Sequence, residues 1–125
     1  MNELERARLL MGQRRFAQAL PLLESVVTQD PEDAVAHATL SFCQRELGQK
    51  ELALASAQKG VALAPDLAYA HYHLAWSYCA LRQFRQMLKA THRLLAINPS
   101  NADAYLLEAL YWAHREQPEK NAQKR

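Results

Sequence analysis

The sequence predicts an all-α stack of helix-turn-helix units, and three observations carry that expectation. Pro31, Pro65 and Pro99 stand 34 residues apart, and a fixed period of this size marks a repeated helical hairpin. Small residues recur in the same register: Ala7, Ser41, Ala75 and Ala109 form one column, and Ala36, Ala70 and Ala104 another. Such columns let two helices approach closely. Leu and Ala dominate, which favours helix, and hydrophobic residues reach 50% against 22% charged, so disorder is not the default reading. At 125 residues the chain holds about three and two-thirds units in one domain.

Helices are expected at about 2–13, 16–29, 34–47, 50–63, 68–81, 84–97 and 102–116. Leu20, Leu54 and Leu88 share a register position, as do Val27, Val61 and Leu95. Pro21 falls beyond the first turn of the second helix, where it removes one backbone bond and is expected to bend the helix. Gly48 can take the left-handed conformation that ends the third. Gly60 costs the fourth about 1 kcal/mol against Ala, which close packing on a neighbouring helix would offset. Asp66 and Ser100 are expected to cap the fifth and seventh helices, Ser100 forming a capping box with Asp103. Each proline of the period closes a unit, because it lacks an N–H and biases the preceding residue away from helix. The repeats are thus about 1–33, 34–67 and 68–101, with a final helix 102–116 and a polar, basic tail 117–125 expected to fray.

Composition excludes several functional classes. The net charge of +2 does not argue for nucleic acid. The opening Met1-Asn-Glu-Leu-Glu-Arg does not look like a signal peptide, and no apolar run is long enough for a membrane span. Cys43 and Cys79 lie in apolar helical segments and are read as buried free thiols of a reducing compartment, with a disulfide between them as the alternative. A cytoplasmic location is the expectation.

Candidate chemistry is sparse. His71 and His73 are two apart, so on a helix they point to different sides and cannot share a metal. His37, His71 and Tyr105 share one column and are read as packing residues. There is no Cys-x₂-Cys pair, no glycine-rich phosphate loop and no spacing that suggests a Ser-His-Asp set. No catalytic residue, no metal site and no cofactor is expected.

The repeats resemble the tetratricopeptide repeat family, whose pattern is W-x₂-L-G-x₂-Y, then A-x₃-F, then P. The third unit reads His71-x₂-Leu74-Ala75-x₂-Tyr78, then Met87-x₃-Thr91, then Pro99. The second reads His37-x₂-Leu40-Ser41-x₂-Gln44, then Ala53-x₃-Ala57, then Pro65. The first keeps Ala19-x₃-Leu23 and Pro31, and the last helix offers Tyr105-x₂-Glu108-Ala109-x₂-Trp112. The resemblance implies a right-handed α-α superhelix of about three repeats plus a C-terminal helix. It also implies a concave groove lined by the first helix of each pair. Carried over, the groove residues are Leu4, Arg8 and Met11; Val35, Ala38, Phe42 and Arg45; Tyr69, Tyr72, Trp76 and Cys79; and Leu106, Leu110 and Ala113, with Asp103 at the rim. Of these, Arg8, Phe42, Arg45, Tyr69, Tyr72, Trp76, Leu106 and Leu110 are the candidate peptide-binding set. Tyr and Trp make good interface anchors, although the same aromatics also suit packing between repeats. Some family members hold the C-terminal carboxylate of heat-shock chaperones with Lys, Asn and Arg. The matching positions here are Leu4, Arg8, Thr39, Tyr69 and His73, where only Arg8 offers a charge, so that mode is not expected.

Two surface features complete the reading. No acidic residue lies between Asp66 and Asp103, and Arg85, Lys89, His92 and Arg93 fall on one face of the sixth helix. That outer basic face fits either a docking patch for an acidic protein or lipid surface, or simply a solvated helix face. The last helix is apolar on nearly all sides, with Leu107, Tyr111 and Trp112 expected open to water. A continuation of the chain, a second copy or a partner would cover it. The expected function is a non-enzymatic scaffold that binds a peptide or helix of a partner protein. The alternatives are a chaperone resembling the small three-repeat bacterial secretion type in size and repeat number, or an interaction module of a larger enzyme or membrane protein.

Overall fold

A computed structural model describes the backbone of residues 1–123 and the side-chain surroundings of residues 1–115. Its helices are α1 (Glu3–Gly12), α2 (Phe16–Gln29), α3 (Ala34–Glu46), α4 (Lys50–Leu63), α5 (Ala68–Ala80), α6 (Phe84–Ile97) and α7 (Ala102–Gln123). The ends of α1 to α6 fall within a residue of the sequence expectation. α7 does not stop at 116 but continues to Gln123, through a stretch rich in the helix formers Glu119, Lys120, Ala122 and Gln123. The helix thus extends past the expected end at 116.

The period is built by two kinds of turn. Between repeats, Asp33 N–H donates to Asp30 O at 3.2 Å, Leu67 to Ala64 at 3.0 Å and Asn101 to Asn98 at 3.2 Å. Each is a four-residue turn with the periodic proline second, where its fixed φ suits the turn. Within repeats, Arg15 N–H reaches Leu10 O at 2.8 Å, Gln49 reaches Gln44 at 2.8 Å and Gln83 reaches Tyr78 at 2.9 Å. The residue before each of these donors is left-handed: Arg14 at φ 60°, Gly48 at φ 79° and Arg82 at φ 59°. Only Gly48 adopts this without strain; each arginine costs about 1 kcal/mol there.

The ring column has a definite task. His37 Nε2 lies 2.8 Å from Pro31 O, His71 Nε2 2.7 Å from Pro65 O, and Tyr105 Oη donates to Pro99 O at 2.9 Å. Each ring ties a first helix to the carbonyl of the preceding turn proline. His71 Nδ1 is left buried without a partner.

Three expectations about helix ends are corrected. Asp66 does not cap α5, because the Ala64–Leu67 turn carries the chain one residue further and puts Leu67 at the N-cap. For the same reason Asn101, not Ser100, receives the α7 N-terminus, its Oδ1 accepting from Ala104 N at 3.0 Å. The Ser100–Asp103 capping box is absent, since Asp103 bonds Tyr72 instead. Asn2 and Asp33 cap α1 and α3 in the ordinary way.

Helices pair in sequence, α1 on α2, α3 on α4 and α5 on α6, and α7 packs on α6. α1, α3, α5 and α7 also touch one another in succession, whereas α2, α4 and α6 make no contact among themselves. The first helices therefore form the inner, concave layer. The small columns sit at the contacts: Ala7, Ser41, Ala75, Ala36, Ala70 and Ala104 are fully buried. Ala109 is exposed, because no further helix pairs with α7 among the described residues. Larger buried side chains, Leu23, Met87, Leu94 and Leu107, fill the layers between. At Gly60 α4 approaches α3 closely; a Cβ there would lie 3.2 Å from Ala34 O and 3.6 Å from both Ala38 N and Ala70 Cβ. α2 runs unbroken through Pro21, which is exposed.

Both cysteines are free. Cys43 is buried and its Sγ contacts Phe16 O at 3.2 Å; burial, then Glu24, pushes the thiol up to about 11. It is a structural thiol held protonated. Cys79 is only half-buried, against the expectation of full burial, because it faces the concave side.

Candidate functional site

Adjacent first helices place their concave residues at regular steps, so side chains from α3 and α5 face each other across a shallow channel. Phe42, Arg45 and Glu46 from α3 meet Tyr69, Tyr72, His73 and Trp76 from α5 around a cleft of about 410 Å³. Five of the eight candidate residues are thus brought together. Arg8 lies in the neighbouring cleft of about 310 Å³, with Met11, Gly12, Thr39, Phe42 and Tyr69. Leu106 and Leu110 line neither cleft; they stand exposed on α7.

His73 is the residue that spacing alone does not single out. It is 3% exposed, the most buried of the cleft residues. Its ring stacks on Phe42 at 5.1 Å and 19° and meets the edges of Tyr69 at 4.6 Å and Tyr72 at 4.9 Å. Arg45 donates from Nη2 to His73 Nδ1 at 3.1 Å and from Nη1 to His73 O at 3.4 Å and Ser77 Oγ at 3.3 Å. A guanidinium cannot accept a hydrogen bond, so His73 Nδ1 must, and the ring proton sits on Nε2. Burial first, then the Arg45 charge, holds the His73 pKa down to about 3. The imidazole is neutral and serves as a prop for Arg45.

Arg45 itself is half-buried, with its charge 5.5 Å from the Phe42 ring centre. All its bonds go to neutral acceptors, and no carboxylate pairs with it among the described residues. Desolvation pulls its pKa below the ordinary arginine value, partly offset by Glu46. Tyr69 and Tyr72 are held from outside the cleft. Tyr69 Oη lies 3.0 Å from Thr39 Oγ1, whose own proton goes to Val35 O at 2.8 Å, so Tyr69 donates. Tyr72 Oη donates to Asp103 Oδ2 at 3.1 Å, which ties the cleft to α7; burial, then this bond, raises its pKa. Trp76 lines the cleft and also packs partly on the Ala75, Met87 and Leu107 cluster.

The other candidate features lie elsewhere. Arg85, Lys89, His92 and Arg93 are all exposed on α6, and His92 Nε2 meets Glu108 Oε2 at 3.3 Å. Arg85 joins Arg82, Phe84, Tyr111, His114 and Arg115 around an open cleft of about 470 Å³ near α7. The expected open patch on α7 is corrected in two of its three members: Leu107 is fully buried and Tyr111 is half-buried against the same cluster, while Trp112 is exposed together with Tyr105, Leu106 and Leu110. The helical period turns Leu107 toward α5 and α6 and leaves the exposed residues outside. No group of three His, Cys, Asp or Glu side chains among the described residues is arranged to hold a metal. No described helix is long and apolar enough to cross a membrane.

Periodic turns, paired helices and a concave layer of first helices define a helical-repeat solenoid. A tetratricopeptide repeat family model matches residues 10–76, more than half of the chain, and a second matches residues 69–101. The chain belongs to the tetratricopeptide repeat family. No curated protein matches it. Among solved structures it is similar to the second repeat domain of human RPAP3 in complex with the HSP70 peptide SGPTIEEVD. That likeness has 14% identity and a TM-score of 0.82, covering 88% of this chain and 92% of that one. The first repeat domain of Spaghetti (RPAP3), bound to the HSP90 peptide SRMEEVD, is similar at 20% identity and TM-score 0.82, covering 89% of each chain. A thermophilic repeat protein of Thermus thermophilus, TTC0263, is similar at 26% identity and TM-score 0.84, covering 94% of this chain and 66% of that one.

Proposed function

We propose that this protein is a non-enzymatic scaffold that holds a peptide or helix of a partner protein in the cleft between α3 and α5. The observation that carries this reading is the convergence of Phe42, Arg45, Tyr69, Tyr72 and Trp76 on one concave cleft. Aromatic walls around a partly desolvated cation are the composition of an interface hot spot. The neighbours that hold peptides support a peptide as ligand, but their mode does not transfer by charge. At the positions of the family's carboxylate-binding set, His73 is buried and neutral, and Tyr69 and Thr39 bond each other. The test is affinity capture from native extract with wild type, Tyr72→Ala, Trp76→Ala and Tyr69→Ala, with circular dichroism as the folding check. The expected result is a protein retained by wild type and lost by folded variants. Equal retention by folded variants would sink the cleft reading.

A further inference from the structure

Taking the cleft as the binding site, we propose that Arg45 is the specificity determinant and that it selects an internal acidic side chain, Asp or Glu, beside an aromatic or branched apolar residue. A guanidinium carries five N–H groups in a planar fork. Nη1 has two and makes two bonds, to His73 O and Ser77 Oγ; Nη2 has two and makes one, to His73 Nδ1. The Nε–H and one Nη2–H remain, and neither has an acceptor among the described residues. Those two donors share one edge of the guanidinium, and a side-on pair of this kind matches the two oxygens of a carboxylate. The three existing bonds orient the plane, so part of the side-chain freedom is already lost before binding.

The charge balance points the same way. Arg45 stands without a carboxylate partner among the described residues, and desolvation makes that state costly, which a bound carboxylate relieves. His73 cannot share the task, since it is neutral and its Nδ1 already accepts from Arg45. The walls, Phe42, Tyr69, Tyr72 and Trp76, are aromatic and take the apolar neighbour of the acidic residue. Glu46 on the same lining is exposed and opposes a second negative charge, so one acidic side chain is favoured over an acidic run. At the positions where the family holds a chain-terminal carboxylate, only Arg8 is charged, His73 is neutral, and Thr39 and Tyr69 bond each other, so the protein lacks the set that a chain terminus asks for. The occupant is therefore an internal residue.

The test is parallel selection from a random peptide library displayed at internal positions, against wild type, Arg45→Gln and Trp76→Ala. Wild type is expected to enrich peptides with one Asp or Glu next to an aromatic or branched apolar residue. Arg45→Gln is expected to lose the acidic preference and keep the apolar one. In the best peptide, Glu→Gln or Asp→Asn should weaken wild-type binding about thirty-fold, and that of Arg45→Gln by less than about three-fold. Arg45→Lys, which keeps charge but not the fork, should lie between. Enrichment of apolar peptides with no acidic residue, lost in Trp76→Ala, overturns the Arg45 assignment and leaves the cleft reading standing. In a second library displayed with free C termini, binders that need the terminal carboxylate also overturn it. Absence of any enriched peptide with folded wild type overturns both.

Discussion

Lowering the pH should destabilise this protein through one histidine. In the folded chain His73 titrates at about 3, against 6.5 for the free side chain. Between those values the unfolded state binds a proton that the folded state refuses. The stability is therefore complete above pH 6.5 and is lost progressively as pH falls toward 3. At about pH 5 the loss from this one group is about 2 kcal/mol relative to about pH 8, rising toward about 5 kcal/mol below about pH 3. Against a total stability of about 5–15 kcal/mol for a small domain, that is a large share. The perturbation is His73→Asn, whose Oδ1 replaces the ring Nδ1 as acceptor for Arg45 and which does not titrate in this window. The assay is urea unfolding of both proteins at the two pH values. His73→Asn should be less stable than wild type at about pH 8, because it forfeits the stacking on Phe42, Tyr69 and Tyr72. Its decline between the two pH values should be smaller than wild type's by about 2 kcal/mol. Equal declines would refute the reasoning that burial and Arg45 keep His73 neutral.

Two further outcomes rest on packing and on surface charge. Gly60→Val should lower stability by about 1–3 kcal/mol in chemical denaturation, despite the better helix propensity, because backbone of α3 blocks the new side chain; unchanged stability would contradict the close approach. Arg85→Glu combined with Lys89→Glu should leave peptide binding within about two-fold and stability within about 0.5 kcal/mol, since neither residue lines the cleft and both are exposed. A larger, salt-sensitive loss of binding in fluorescence polarisation would make the outer face part of the interface.

Much of the architecture was legible because it is periodic. A proline every 34 residues, small residues at the same phase and a helix-rich composition all constrain local geometry, and local geometry is what periodicity reports. The ends of α1 to α6 and the start of α7 therefore fell within a residue, and Gly60 was recognisable as a close-packing site. Where one residue's register mattered, the reading slipped. Asp66 and Ser100 were the chemically preferred caps, yet the turn bond puts residues 33, 67 and 101 in the capping place. The Asp33–Asn101 column was the signal that could have shown it. The left-handed column of Arg14, Gly48 and Arg82 was half visible, since only its glycine announces itself.

The site divides along the same line. Sequence by itself determined the repeat fold, because periodicity reports position along a helix of known pitch; the concave layer's membership and the cleft's aromatic residues came from the resemblance to the tetratricopeptide repeat family. Tertiary structure alone decided the chemistry of the cleft. Phe42 and His73 lie 31 positions apart in the chain, and their stacking at 5.1 Å arises only when α3 and α5 pack. That packing removes water from His73, fixes its tautomer through Arg45 and leaves one edge of the guanidinium without an acceptor. Desolvation and charge depend on three-dimensional neighbours, and neighbours from different repeats leave no trace in a one-dimensional period.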